Sequence, residues 1–528
     1  MPLTITSPTY FHVLQNLSLI LLAVFFAPFC TGFAISSTLI SPFTKTSKHI
    51  KHHRQWRQKS SSTFKPRTVL VTGVGMSKGL ALARAFHRAG HNVIGADFEP
   101  YLIPVSGHFS LSISKFYRLS KPTGSVGTAT YIRDLLSIIS EEKVELWVSC
   151  SGVASALEDG EAAEVVLKES KCVPIQFGVT LTETLHEKDS FISNTRKLGL
   201  NVPITHLVTS ETEALHSLYP TSPRLEKPLS PRERHKYIMK PVEMDDSTRA
   251  DMTLLPLPTL KETELHIRRL NPTPFRPFVL QQFISGPEYC THSLILRGKV
   301  KCFVACPSSD FLMRCVALPT TSALSLSMQR YTSIYAEKTG KNMTGHFSLD
   351  FLVPEHIARR AKNMFGVSED EVRDIMKYLY PIECNPRAHT AVVLFSDESE
   401  DLASSYLSIL PSHEPAGITN GHRDTTHIVV PKPSVPGYYW ISHDIVALFF
   451  LPMLALVRGE IDIGKLLGKW VEFLGHVLFW REGTWEIWDP WPWWWSCVGY
   501  WPAMFAVRLW ERRWWSRCNV STGKLFGC

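Results

Sequence analysis

The first 67 residues contain no aspartate or glutamate, and no lysine or arginine precedes Lys45. That argues against a cleaved secretory leader, whose positive charge precedes its apolar run. The eleven cysteines form no CxxC pair, which disfavours a zinc or disulfide framework and fits reduced thiols facing the cytosol. A basic nucleic-acid face is also lacking. The eight basic residues between Lys45 and Arg67 equal the whole net charge of +8, so the rest of the chain is balanced and nucleic acid is not an expected partner. No GxGxxG follows the first strand-like run, so a dinucleotide fold has little support.

A chain of 528 residues has room for two or three domains. Leu17 to Ile40 is mostly apolar, and about 20 such residues span a bilayer. Positive charge on its C-terminal side puts residue 45 onward in the cytosol, with 1–67 as membrane anchor and basic linker, in the endoplasmic reticulum or another endomembrane. The alternative is an organelle-targeting leader, since 41–67 is rich in Arg, Lys and Ser and free of acids.

From Thr68 the periodicity changes. Thr68–Thr72 and Asn92–Asp97 read as β-branched strands flanking a glycine turn (Gly73, Gly75, Gly79) and a helix over Leu80–Ala89. A helix over Tyr131–Glu141 and strands over Val144–Ser149 and Val173–Gly178 complete an α/β domain with a parallel sheet, 68–184. Tyr117 and Lys121 have the spacing of a short-chain dehydrogenase pair. They lie too close to the glycine turn, and Pro122 stops the helix that would present them.

The stretch Pro381–Arg387 carries the densest chemistry. Behind an extended Tyr378–Tyr380, alternation puts Glu383 and Asn385 on one face of a strand and turns Cys384 into the fold. Two adjacent oxygen ligands suit a hard cation such as Mg²⁺. Pro386 ends the strand and sends Arg387, with its planar donor fork, to the rim. Taken alone, the stretch favours the plainer reading, a strand end with a surface Glu and Arg.

Other stretches precede it in order: Leu185–Phe191 opening a helix, Tyr237–Val242 with Lys240 before Pro241, Phe278–Tyr289, and His346–Phe351. Together with Ile382–Arg387 they resemble the ATP-grasp ligases over about residues 68–410. The resemblance implies a pre-ATP-grasp parallel-sheet domain followed by an ATP-grasp fold (185–410), α/β and α+β in class. It implies Lys188 and Lys240 as phosphate ligands, Gln281, Gln282, Phe283 and Ile284 as an adenine-reading hinge, and Glu288 on the ribose. Asp350, Glu383 and Asn385 would hold Mg²⁺, with Mn²⁺ as a substitute. Lys240 and Arg387 would balance developing charge. For Lys240 by itself a solvated charge is the simpler account, and for Glu288 a surface acid is as good. Where the family has a glycine-rich phosphate loop, residues 243–250 contain no glycine, and Ser247 is the candidate phosphate contact there. The implied reaction activates a carboxylate or enolate with ATP and couples it to an amino acid or amine.

After a connector (411–432), residues 433–528 hold thirteen of the fifteen tryptophans. Tryptophan with flanking arginine suits a membrane interface, while a tail folded on the body is the equal alternative. Trp485–Pro490 before an aromatic run resembles ATP-grasp enzymes of secondary metabolism of the mycosporine-glycine synthase type. Two other functions compete with a ligase: a degenerate nucleotide-binding module, suggested by the glycine-poor loop, and a non-enzymatic membrane scaffold.

Overall fold

The computed structural model describes residues 3–4, 6–48, 50–52, 64–150, 152, 155–219, 236–242, 251–308, 313–411 and 427–528. Ser247 and the rest of 243–250 lie outside them. Helix α1 (Thr9–Ile40) is long and apolar enough to cross a membrane, by length and composition.

Strands β1 (Thr68–Thr72), β2 (Asn92–Asp97), β3 (Lys115–Arg118), β4 (Leu146–Ser149) and β5 (Val173–Ile175) form a parallel sheet in the order β3-β2-β1-β4-β5. Central β1 is covered on both faces, so Val69, Leu70 and Val71 are all fully buried and its sequence is an unbroken apolar run. The following helix, α2, spans Ser77–Arg88 and starts earlier than its periodicity suggests. The glycine turn makes this possible. Gly73 has φ +74°, and a Cβ on Gly79 would lie 2.3 Å from the Gly73 carbonyl oxygen. The helix expected over Tyr131–Glu141 likewise starts early, at Gly124.

The helix expected from Leu185 to Phe191 is instead two helices, α3 (Val179–His186) and α4 (Lys188–Lys197). Glu187 between them is extended (φ −82°, ψ 126°), which makes Lys188 the first residue of α4. Strands β6 (Thr205–Val208), β7 (Tyr237–Pro241) and β8 (Phe278–Gln282) form an antiparallel sheet ordered β6-β8-β7.

A second antiparallel sheet, β10-β9-β12-β13, is built from β9 (Glu288–Leu296), β10 (Lys299–Pro307), β12 (Gly345–Leu352) and β13 (Tyr380–Asn385). The short β11 (Arg314–Cys315) joins β14 (Tyr438–Tyr439) and β15 (Arg481–Glu482) in a small sheet. One face of the four-stranded sheet packs Phe303, Phe347, Leu349, Phe351 and Cys384 against helix α5 (Ala323–Thr339). The extended stretch expected from Tyr378 begins only at Tyr380. The Tyr378 amide instead donates to the Ile375 carbonyl (2.9 Å), closing the helix Glu369–Met376.

The tryptophan-rich segment folds back onto the body. Trp491–Trp510 is one continuous helical run with a π-register turn at Ser496–Tyr500. It lies between α1 and the first domain. Trp495 Nε1 donates to the Pro104 carbonyl (2.6 Å), Trp494 Nε1 to Thr31 Oγ1 (2.9 Å), and Trp515 Nε1 to Asn16 Oδ1 (3.0 Å).

Candidate active site

The second face of the four-stranded sheet is polar. Alternation along β9, β12 and β13 places Glu288, Cys290 and His292, then His346, Ser348 and Asp350, then Glu383 and Asn385 on the side away from α5. The register aligns them: Asp350 stands opposite Cys290 on one flank and Glu383 on the other, and Ser348 opposite Asn385. A bulge between Asp350 and Phe351 absorbs the offset, so Cys384 still turns into the apolar core while Glu383 and Asn385 share the polar face. The strand ends at Asn385, before Pro386.

Five of the residues singled out in the sequence converge here. Asn385 Nδ2 donates to Asp350 Oδ2 at 3.0 Å and lies 3.5 Å from Glu383 Oε1. Lys188 Nζ, on the first turn of α4, is 3.5 Å from Glu383 Oε2. Arg387 is half-buried rather than standing free at the rim, with its carbonyl accepting from Ser348 Oγ (3.0 Å) and its Nη1 buried without an acceptor among the described residues.

The electrostatics are those of clustered, desolvated charges. Burial pushes the Asp350 carboxyl well up, and the Glu383 and Glu288 carboxylates push it further, with Arg387 opposing. Burial lowers the Arg387 guanidinium, against the pull of Glu383 and Asp350. Asp350 Oδ1 is buried and receives no hydrogen bond among the described residues. A divalent cation between Asp350, with its orphaned oxygen, and Glu383 would remove both the repulsion and the desolvation cost. The ligand set is two acids and an amide. Among the described residues no group of three or more His, Cys, Asp or Glu side chains is arranged to hold a metal. Asn385 now points its amide nitrogen at Asp350, so serving as an oxygen ligand requires the amide to turn over.

The remaining candidates sit further off. Lys240 stands half-buried on β7, opposite Val279 in the three-stranded sheet. Gln281 and Ile284 are buried. In the expected hinge, the Gln282 amide donates to the Ile204 carbonyl (2.7 Å) and the Phe283 amide to the Lys236 carbonyl (2.7 Å). Those two donors are engaged by backbone at the ends of the neighbouring strands. Glu288 opens β9 close enough for its charge to bear on Asp350. A Cβ on Gly286 would lie 1.9 Å from the Val353 carbonyl oxygen, so this glycine lets the chain enter β9 tightly against the end of β12.

Sequence reasoning missed the inner end of the polar face. His292, His346 and His389 are buried there beside Lys78, the second residue of α2. His292 Nδ1 accepts the His389 amide (3.2 Å), leaving Nε2 to carry the proton, buried and without an acceptor among the described residues. His346 Nε2 and the Tyr406 hydroxyl are 2.7 Å apart. Burial holds His346 and His389 down to about 3, His292 well below its ordinary value, and Lys78 down to about 7. The available signal was a histidine in each of two strands, in phase with Glu288 on one and with Ser348 and Asp350 on the other.

No family model and no curated protein matches this chain. Among solved structures it is similar to an L-amino acid ligase from Bacillus licheniformis, with 14% identity and a TM-score of 0.40 over 67% of this chain and 78% of that one. It is similar to an N5-carboxyaminoimidazole ribonucleotide synthetase in its ADP complex, with 12% identity and a TM-score of 0.44 over 68% and 81%. A biotin carboxylase from Campylobacter jejuni in complex with beta-gamma-ATP is similar over 65% and 72%, with 13% identity and a TM-score of 0.41.

Proposed function

We propose that the chain is an ATP-dependent ligase of the ATP-grasp type, joining an acid-like substrate to an amino acid or amine, in secondary-metabolite biosynthesis and attached to a membrane through α1. The supporting observation is the convergence of Lys188, Asp350, Glu383, Asn385 and Arg387 from three separate stretches on the polar end of one sheet. In this reading Asp350, Glu383 and Asn385 hold Mg²⁺, which supplies charge neutralisation on the phosphates when bound. Lys188 and Lys240 bind phosphate oxygens. The half-buried Arg387 guanidinium holds the substrate carboxylate in line.

A carboxylate oxygen then attacks the γ-phosphorus as the bond to ADP breaks, giving an acyl phosphate. The amine lone pair next attacks the acyl carbon and expels phosphate, and the amine proton passes to solvent. Phosphoryl transfer asks the protein mainly for positioning and charge balance. The buried polar wall of Lys78, His292 and His389 continues inward from Arg387 and keeps bulk water from the acyl phosphate.

The test is ADP release with Mg²⁺, screened across pooled carboxylates and amines. Amine-stimulated release in the wild type, reduced about 10²–10³-fold in Glu383→Gln with the fold intact, is the expected result. Nucleotide binding without turnover would favour the degenerate module, a reading the glycine-poor 243–250 segment keeps in play.

A further inference from the structure

A cavity of about 1780 Å³ lies between α1, the helical stretch Ile441–Val457 and the Trp491–Trp510 run. It is larger than the upper range, about 1,000 Å³, for sites that take drug-sized ligands. Most of its wall is apolar: Leu22, Phe26 and Phe29 of α1 face it, with Leu451, Leu454 and Phe505. The surface around it is apolar as well. Leu21 and Phe25 of α1 are exposed, as are Val471 and Leu478 on the helix Ile463–Phe479. A soluble monomer rarely exposes so extended an apolar surface.

One end of the cavity is different. Arg88 and Glu486 pair there at 3.2 Å, and Arg481 Nη1 donates to Asp397 Oδ1 at 2.7 Å. Tyr439 and Trp480 line the same end. The rings of Trp485 and Trp493 also line the wall.

We propose that this cavity is a lipid site that takes a single zwitterionic glycerophospholipid from the bilayer. Its chains lie along the apolar wall of α1. Arg88 and Arg481 face the phosphate, while Asp397, Glu486 and the rings of Tyr439 and Trp480 surround the quaternary ammonium, the environment such a cation takes. Because the charges at this end come in balanced pairs, a choline-type headgroup fits better than an anionic one. The bound lipid then fills the seam between α1 and the C-terminal segment and ties the chain to the membrane it came from.

The experiment uses the full chain, equilibrated with mixed phosphatidylcholine and phosphatidylglycerol vesicles, extracted in mild detergent and washed. Retained lipid is measured by native mass spectrometry and phosphate assay. Ala23→Trp and Ala447→Trp fill the cavity from two separate helices, so a folding fault in one leaves the other informative. Leu21→Trp, on the exposed face of α1, is the control. Phosphatidylcholine retained by the wild type and by Leu21→Trp, and lost from both filling variants, is expected. No retained lipid in the wild type, equal retention in all four proteins, or selective retention of phosphatidylglycerol would overturn the proposal. The readout involves no nucleotide, so its failure is distinct from failure of the ligase reading.

Discussion

Arg84 and Asp489 lie 405 residues apart in the chain and 2.8 Å apart in the fold, from Nε to Oδ2. Both are buried, and Asp489 is fully so. The carboxylate also accepts from Ser110 Oγ (2.6 Å) and the Leu111 amide (2.8 Å), while Arg84 Nη2 donates to the Thr484 and Asp489 carbonyls. This knot ties the tryptophan-rich segment to the first domain. Asp489→Ala strands a buried guanidinium and is expected to destabilise the protein by about 3–5 kcal/mol, whereas Arg84→Met with Asp489→Leu recovers most of that loss. Chemical unfolding of the full chain in detergent measures both. An unchanged midpoint for Asp489→Ala would show that the pair does not hold the segment in place.

The carboxylates give a prediction of opposite sign for stability and for binding. Asp350 has a carboxyl raised by burial and by Glu383 and Glu288, so its ionised form weakens the ligand-free protein at neutral pH. Asp350→Asn is therefore expected to raise the melting temperature without ligand. If the chain binds Mg-ATP as proposed, the same change should abolish the extra stabilisation expected from it in the wild type. Melting curves with and without Mg-ATP separate the two effects, and a variant still stabilised by Mg-ATP would remove Asp350 from the cation seat.

Acidification should destabilise the fold through the inner histidines, which are buried in their neutral form. His346 and His389 are held to about 3 in the folded state, against an ordinary value of 6.5. The unfolded chain therefore binds more protons between those limits. Stability from these groups is complete above pH 6.5 and is lost as pH falls toward 3. Each contributes a slope of about 1.4 kcal/mol per pH unit within that window. His389→Asn keeps an acceptor for the Ala391 amide, which His389 Nδ1 now receives at 3.1 Å, but cannot titrate. The fall in melting temperature from pH 7 to pH 5 should be smaller in this variant than in the wild type. Equal falls would mean that His389 is already protonated in the folded protein.

Gly286 tests the scaffold of the site. An alanine Cβ would lie 1.9 Å from the Val353 carbonyl oxygen and 2.8 Å from the Glu355 amide nitrogen, both backbone atoms that cannot rotate away. Gly286→Ala should cost about 1–3 kcal/mol by overpacking and shift Glu288 relative to Asp350. A denaturant midpoint equal to the wild type would contradict this packing.

The sequence by itself determined the strands and the alternation that carries the site. Glu383 and Asn385 face one way and Cys384 the other because a strand has a period of two, a property local to six residues. The β-branched run of β1, the stop at Pro386 and the apolar length of α1 were legible for the same local reason. Helix starts were less so: Ser77 rather than Leu80, and the break at Glu187, depend on packing against the glycine turn and against the neighbouring helix. Only the tertiary structure decided that Arg387 is half-buried, that the Gln282 and Phe283 amides bond to neighbouring backbone, and that Lys78 shares a buried wall with three histidines. Local spacing was equally silent on the tryptophan-rich tail, which a membrane or a protein surface could have covered. Its place on the first domain was settled by a buried ion pair whose partners no sequence period connects.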